Sequence, residues 1–109
     1  MAWLLREGEV LATLEVAGSL RDRVKGLMGR DHYEGALLLR PAHSVHTVGM
    51  RFPIDVAFVD GEGRVVATVT MARHRPGRPR FAARLVVEAE AGAFERWGLR
   101  VGDVIEVKR

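Results

Sequence analysis

Apolar and polar residues alternate along much of the chain, and that alternation predicts strands. Trp3 to Leu5 and Val10 to Val16 flank Glu7-Gly8-Glu9, the second run setting Val10, Ala12, Leu14 and Val16 against Leu11, Thr13 and Glu15. This is the pattern of a hairpin. Ile54 to Asp60 puts Ile54, Val56 and Phe58 on one face and Asp55, Ala57 and Val59 on the other. Asp60-Gly61-Glu62-Gly63 then turns it into Arg64 to Met71, where Val65, Ala67, Val69 and Met71 alternate with Val66, Thr68 and Thr70, the strongest hairpin signal in the chain. Ala36 to Leu39 is a continuous apolar run ended by Arg40-Pro41, as expected of a short strand buried on both faces. Leu85 to Glu90 and Val104 to Val107 complete the set of strands.

Helical spacing occurs in two places. Ser19 is a good N-cap with Asp22 three residues on; Leu20, Val24, Leu27 and Met28 share a stripe, and Gly29 suits the stop. Gly26 inside this stretch costs about 1 kcal/mol relative to alanine, which suggests close backbone packing there. Ala91 to Trp97, closed by Gly98, is the second short helix. No period repeats and no linker interrupts the 109 residues, so one domain over 1–109 is expected. The fold class is mainly β: a compact β-sandwich or partly open barrel of short, mostly antiparallel strands with two short helices.

Composition narrows the chemistry. The chain is 48% hydrophobic, enough for a proper core, yet charged residues recur throughout and no stretch could span a bilayer as a helix. Met1 to Glu7 shows neither a basic lead nor a signal-length apolar run, so the cytoplasm is the expected compartment. The absence of cysteine removes disulfides, thiol nucleophiles and thiolate metal sites together. The net charge is +3, and Arg73, Arg75, Arg78 and Arg80 account for it: without them 13 basic residues face 14 acidic ones, a net of −1. Fifteen of the 17 basic residues are arginine, suited to planar contacts with carboxylates or phosphates.

Pro41 to Pro53 breaks the alternation with His43, His46, Thr47, Gly49, Met50 and Arg51, and reads as irregular backbone crossing near the core. Two stretches around it carry a family resemblance: Arg23-Val24-Lys25-Gly26-Leu27-Met28-Gly29-Arg30, and His46-Thr47-Val48-Gly49-Met50-Arg51-Phe52-Pro53-Ile54-Asp55-Val56-Ala57-Phe58-Val59-Asp60. With Val87-Glu88 leading to Gly92, and Gly98-Leu99-Arg100-Val101-Gly102-Asp103, the chain resembles the family catalogued as domain of unknown function 192 over nearly its whole length. The resemblance implies a small β-rich fold in a family with many exported members, and it brings no substrate, cofactor or reaction with it.

Asp55 stands between apolar neighbours on both strand faces, so its carboxylate needs a local partner, expected to be Arg51, Arg30 or His46, or a backbone clamp. Arg30, Asp55 and Glu88 are assigned to a structural polar network, Glu88 with Glu90 lining a half-exposed face. His43 and His46 alone are too few for a zinc site; a third ligand from Asp55, Glu88 or His74 would be needed, and neither a metal nor a cofactor is expected. Ser44 and Thr47 lie in no nucleophile-elbow motif, and the glycines form no phosphate loop. The leading reading is a non-catalytic binding domain whose pocket is built from His46, Thr47, Met50, Arg51 and Asp55, taking a small anionic ligand or an acidic protein segment, with the Arg73–Arg80 loop as an anionic-partner surface. A hydrolase using His43, His46 and Asp55 is the alternative from another class. Nucleic-acid binding through the loop is the third, weakened because only Phe81 adjoins it as a stacking aromatic. The oligomeric state is not encoded in any readable feature.

Overall fold

The computed structural model describes residues 2–109. Its elements in chain order are β1 (Ala2–Arg6), β2 (Glu9–Ala17), α1 (Leu20–Lys25), β3 (Ala36–Leu39), β4 (Ile54–Val59), β5 (Val65–Met71), β6 (Leu85–Glu90), α2 (Ala93–Trp97) and β7 (Ile105–Lys108). All seven strands form one mixed sheet in the order β5-β4-β6-β3-β2-β1-β7. Of the two architectures expected, the chain adopts the open barrel and not the sandwich. The sheet curls until the start of β5 meets the start of β7, through an Arg64–Val104 bridge and the Ile105 N–H bonded to the Gly63 carbonyl at 2.8 Å. Gly63, at φ +86°, leaves no room for a Cβ, which would stand 2.8 Å from the Ile105 carbonyl oxygen.

Both predicted hairpins form, β1–β2 and β4–β5, each antiparallel. The Asp60 carboxylate organises the second turn by accepting the Glu62 and Arg64 N–H groups at 2.9 and 3.0 Å. Only β2 and β3 pair in parallel, so the chain between them must cross from one end of the sheet to the other. That crossover carries α1.

The sheet separates two apolar layers. Inside the half-barrel lie Leu4, Leu14, Leu38, Val59, Val87 and Ile105, closed from below by Phe94 of α2. On the outer face of β3, β4 and β6, Leu37, Leu39, Val56, Phe58 and Val86 are covered by Leu27, Tyr33, Met50 and Phe52 from the irregular segments. β4 is therefore buried along its whole length on both faces.

α1 departs from its expected boundaries. Ser19 caps it, its Oγ accepting the Asp22 N–H at 3.1 Å, but the helix stops at Gly26 and not at Gly29. Gly26 takes φ +50°, a left-handed turn that L side chains avoid. The helix buries none of its residues, and Leu20 and Val24, expected on its core stripe, are 70% and 58% exposed. The anchor comes after the helix: Leu27 is fully buried in the outer layer, a burial contributing about 1.5 to 3 kcal/mol.

Candidate functional site

A cavity of about 430 Å³ lies on the outer face, walled by Leu20, Arg23 and Val24 of α1, by the irregular segment at His43, His46 and Met50, and by Pro76 and Gly77 of the Arg/Pro loop. Glu88, in the middle of β6, is part of this wall, opposite Val56 of β4 and Leu37 of β3. It is 1% exposed. This corrects the expectation of a half-exposed Glu88–Glu90 face: β6 is covered on its outer side by the Leu27 segment.

Gly26 makes that burial feasible. Its missing side chain leaves space for the carboxyl, since a Cβ there would sit 2.8 Å from Glu88 Oε1. Burial pushes the Glu88 acidity up to about 7, the Leu27 N–H pulling the other way. Glu88 Oε1 nevertheless has no hydrogen-bond partner, and neither has His46 Nδ1; among the described residues these are the two buried side-chain polar atoms so left. Both residues line the same cavity. A buried polar group without a partner costs free energy on the order of 1–3 kcal/mol, and the wall of one cavity carries two residues with such an atom.

Asp55 is buried, 5% exposed, but its partners are none of the three side chains expected. It accepts the Thr70 hydroxyl at 2.7 Å and the Gly92 and Phe94 N–H groups at 3.0 and 3.1 Å, thereby clamping the start of α2. The candidate partners lie elsewhere. Arg51 is exposed and pairs with Asp31 at 2.5 Å; Arg30 pairs with Glu15 at 3.4 Å and covers the Tyr33 ring at 4.9 Å. So Arg30, Asp55 and Glu88 form no common network.

Of the other proposed pocket residues, His46 and Met50 line the cavity. Thr47 is fully buried behind it as a staple, its Oγ1 donating to the Ala72 carbonyl at 2.6 Å and accepting the Arg75 N–H at 2.8 Å. The backbones of Thr47 and Arg75 also pair, and the Arg80 N–H reaches the His43 carbonyl. The basic loop is thus held by its main chain while Arg73, Arg75, Arg78 and Arg80 are exposed and unpaired with any carboxylate among the described residues. Arg80 lies over the Phe58 ring at 5.3 Å. His43, whose ring meets Phe81 at 5.3 Å, and Ser44 also line the cavity, but Asp55 opens onto a separate groove beside Thr68 and Glu95, so the hydrolase constellation is not assembled. No group of three His, Cys, Asp or Glu side chains among the described residues is placed to hold a metal ion, and none of the helices described is long and apolar enough to cross a membrane.

The residues around Gly26 and Glu88 fall within a match to DUF192, described as an uncharacterized ACR, that extends over residues 3–107. The chain belongs to the DUF192 family. A UPF0127 protein of Pyrococcus abyssi is 30% identical to this DUF192 chain over 105 residues, covering 92% of the chain and 86% of the relative. A UPF0127 protein of Thermococcus gammatolerans is 32% identical over 98 residues, covering 84% of the chain and 64% of that relative. Two crystal structures share the fold with a TM-score of 0.81 at 22% identity: a protein of unknown function from Novosphingobium aromaticivorans, matched over 96% of this chain and 82% of its own, and a proposed transcription regulator from Sinorhizobium meliloti, matched over 97% and 91%.

The sequence singles out Glu88 for a polar network and Gly26 for close packing, but it does not show that the two meet on one cavity wall. The signal for Glu88 was its place inside Leu85-Val86-Val87-Glu88-Ala89, a run too apolar for a strand with one wet face. For Gly26 it was a glycine inside an apparently helical stretch.

Proposed function

We propose that this chain is a small-molecule binding domain, its ligand entering the cavity beside α1 with an apolar body and a hydrogen-bonding head. The observation that carries this reading is that Glu88 and His46, each with a buried atom lacking a partner, line one cavity whose other walls are largely apolar. Leu20, Val24, Val45 and Met50 supply apolar surface around them, and a volume of about 430 Å³ suits a small organic molecule. Ligand-observed NMR with a library of small fragments tests it, run on the parent and on Val24→Trp, which fills the entrance from an exposed helix face. Fragments should bind the parent and be lost from the variant. An empty screen, or hits indifferent to Val24→Trp, would end the reading.

A second reading concerns the loop. Four exposed arginines without carboxylate partners, on a backbone fixed by Thr47, favour an acidic protein segment as a further partner. Exchange into a high-salt buffer should weaken any such complex, and binding unchanged by salt would argue against it.

A further inference from the structure

The surroundings of the Glu88 carboxyl narrow the chemistry of the ligand's head. On its face of the sheet the neighbouring strands present apolar side chains, Leu37 and Leu39 from β3, Val56 and Phe58 from β4. Asp55 of β4 points through the opposite face. Of the charged residues of α1 only Arg23 lines the cavity, its Nη1 donating to the Pro41 carbonyl at 2.6 Å with no carboxylate partner among the described residues. The irregular segment contributes His43 and His46, and Tyr33, whose hydroxyl donates to the Ala36 carbonyl, stands close enough to feel the charge of Glu88. Glu15, Asp22, Lys25 and Arg30 line a separate groove on the other side of Gly26. Burial is what shifts the carboxyl, opposed by the Leu27 N–H, and no basic side chain neutralises it. The fold therefore keeps Glu88 as an O–H donor up to about neutral pH.

We propose that the cavity binds organic monocarboxylates with an apolar body, and that Glu88 in its acid form donates a hydrogen bond to the ligand carboxylate, taking the proton from solvent wherever the free protein has released it. This rests on the binding reading above and names its ligand class. His46, which lines the same cavity, is a second donor on that wall in the tautomer whose proton faces the ligand. An O–H to carboxylate hydrogen bond is charge-assisted and among the stronger ones. The charge at the entrance has the matching sign: Arg23 on the wall, and a loop whose Pro76 and Gly77 form part of the wall between Arg75 and Arg78. That field draws in an anion and repels an ammonium group.

Hexanoate, hexanamide and hexylamine share one apolar tail and differ in the head, which makes them the probes. Their binding is followed by amide chemical shifts of the full chain from about pH 6 to about pH 8.5, and repeated on Glu88→Gln, which keeps a donor but cannot titrate. Hexanoate should shift Gly26, Leu27 and Glu88, with affinity falling about tenfold per pH unit above the Glu88 titration, because each binding event takes up one proton. In Glu88→Gln its affinity should be flat across that range. A pH slope that persists in Glu88→Gln would place the proton on a histidine and overturn the proposal. So would binding of hexylamine or hexanamide without hexanoate, although the cavity would remain a ligand site. If none of the three binds and the fragment screen is also empty, both readings fall.

Discussion

Asp55 and Glu88 stand on adjacent strands, one residue out of step, so their carboxyl groups leave the sheet through opposite faces: Asp55 is opposite Ala89, and Glu88 is opposite Val56. Two buried carboxyls within one strand pair thereby meet different fates. Asp55 has three donors and holds α2 in place, whereas Glu88 lines a cavity and keeps one oxygen buried without a partner. The contrast sets the first two expectations.

Asp55→Ala should destabilise the protein by about 3 to 5 kcal/mol, since it strands the Thr70 hydroxyl and two N–H groups at the start of α2, the cost usual for breaking a buried charged network. Asp55→Asn should cost less, because the amide oxygen still accepts. Urea melts of both variants decide it; an alanine variant within about 1 kcal/mol of the parent would contradict the clamp.

Glu88 should make stability depend on pH. Its acidity is raised in the folded chain to about 7 from an ordinary 4.5, so the native state binds a proton that the unfolded state has released. The stability associated with the acid form is complete below the unfolded value and declines as pH rises through about 7. Glu88→Gln should abolish this slope and, at about pH 8.5, melt later than the parent by up to roughly 3 kcal/mol. Parallel pH profiles for parent and variant would show that Glu88 reaches water.

Gly26→Ala should destabilise by at least about 1 kcal/mol, through its left-handed backbone and the contact of the new Cβ with Glu88 Oε1. Truncating Glu88 to alanine in the same chain should recover the steric part and leave the backbone part. A double-mutant cycle measures that coupling, and strictly additive effects would refute the contact.

Gly77→Ala should release the Arg/Pro loop without melting the sheet. An alanine Cβ would stand 1.5 Å from the Val45 carbonyl oxygen, a clash that only backbone displacement relieves. Amide exchange should then accelerate at Thr47, His74, Arg75 and Arg80, whose N–H groups fasten the loop and the irregular segment. Unchanged protection there would mean the loop is not seated on Val45.

Replacing Arg73, Arg75, Arg78 and Arg80 together by glutamine should leave the fold intact, because these side chains are exposed and the main chain anchors the loop. Arg80 is the costliest of them through its contact with Phe58, worth about 0.5 to 1 kcal/mol. Retention on a heparin column should be lost while the circular dichroism spectrum is kept. A quadruple variant that fails to fold would make the arginines structural.

The strands were legible because alternation or an unbroken apolar run marks each of them; β6 falls on the residues expected of it and β4 ends one residue early. Closure was not legible in the same way. Whether the strands stack as two sheets or curl as one depends on Gly63 meeting Ile105, a contact between residues far apart in the chain. The site was half legible: the irregular segment did supply His43, His46 and Met50, but α1 misled. Its stripe of Leu20 and Val24 has the spacing of a core-facing helix, and only the arrest at Gly26 turns that stripe outward over the cavity. Asp55 is buried and held by a backbone clamp, as the sequence allows, but the side-chain partners it suggests are wrong for a related reason, since α2 brings its N–H groups from across the sequence and no local pattern announces them.

That α1 buries none of its six residues separates two properties that are usually tied together. In most small domains a residue that shapes a pocket also belongs to the core, so changing specificity costs stability. Here the sheet and Leu27 hold the molecule together, while Leu20 and Val24 shape the entrance from a helix that contributes little to the core. Sequence drift can therefore reshape the cavity entrance almost freely, by substitutions that selection for folding does not oppose.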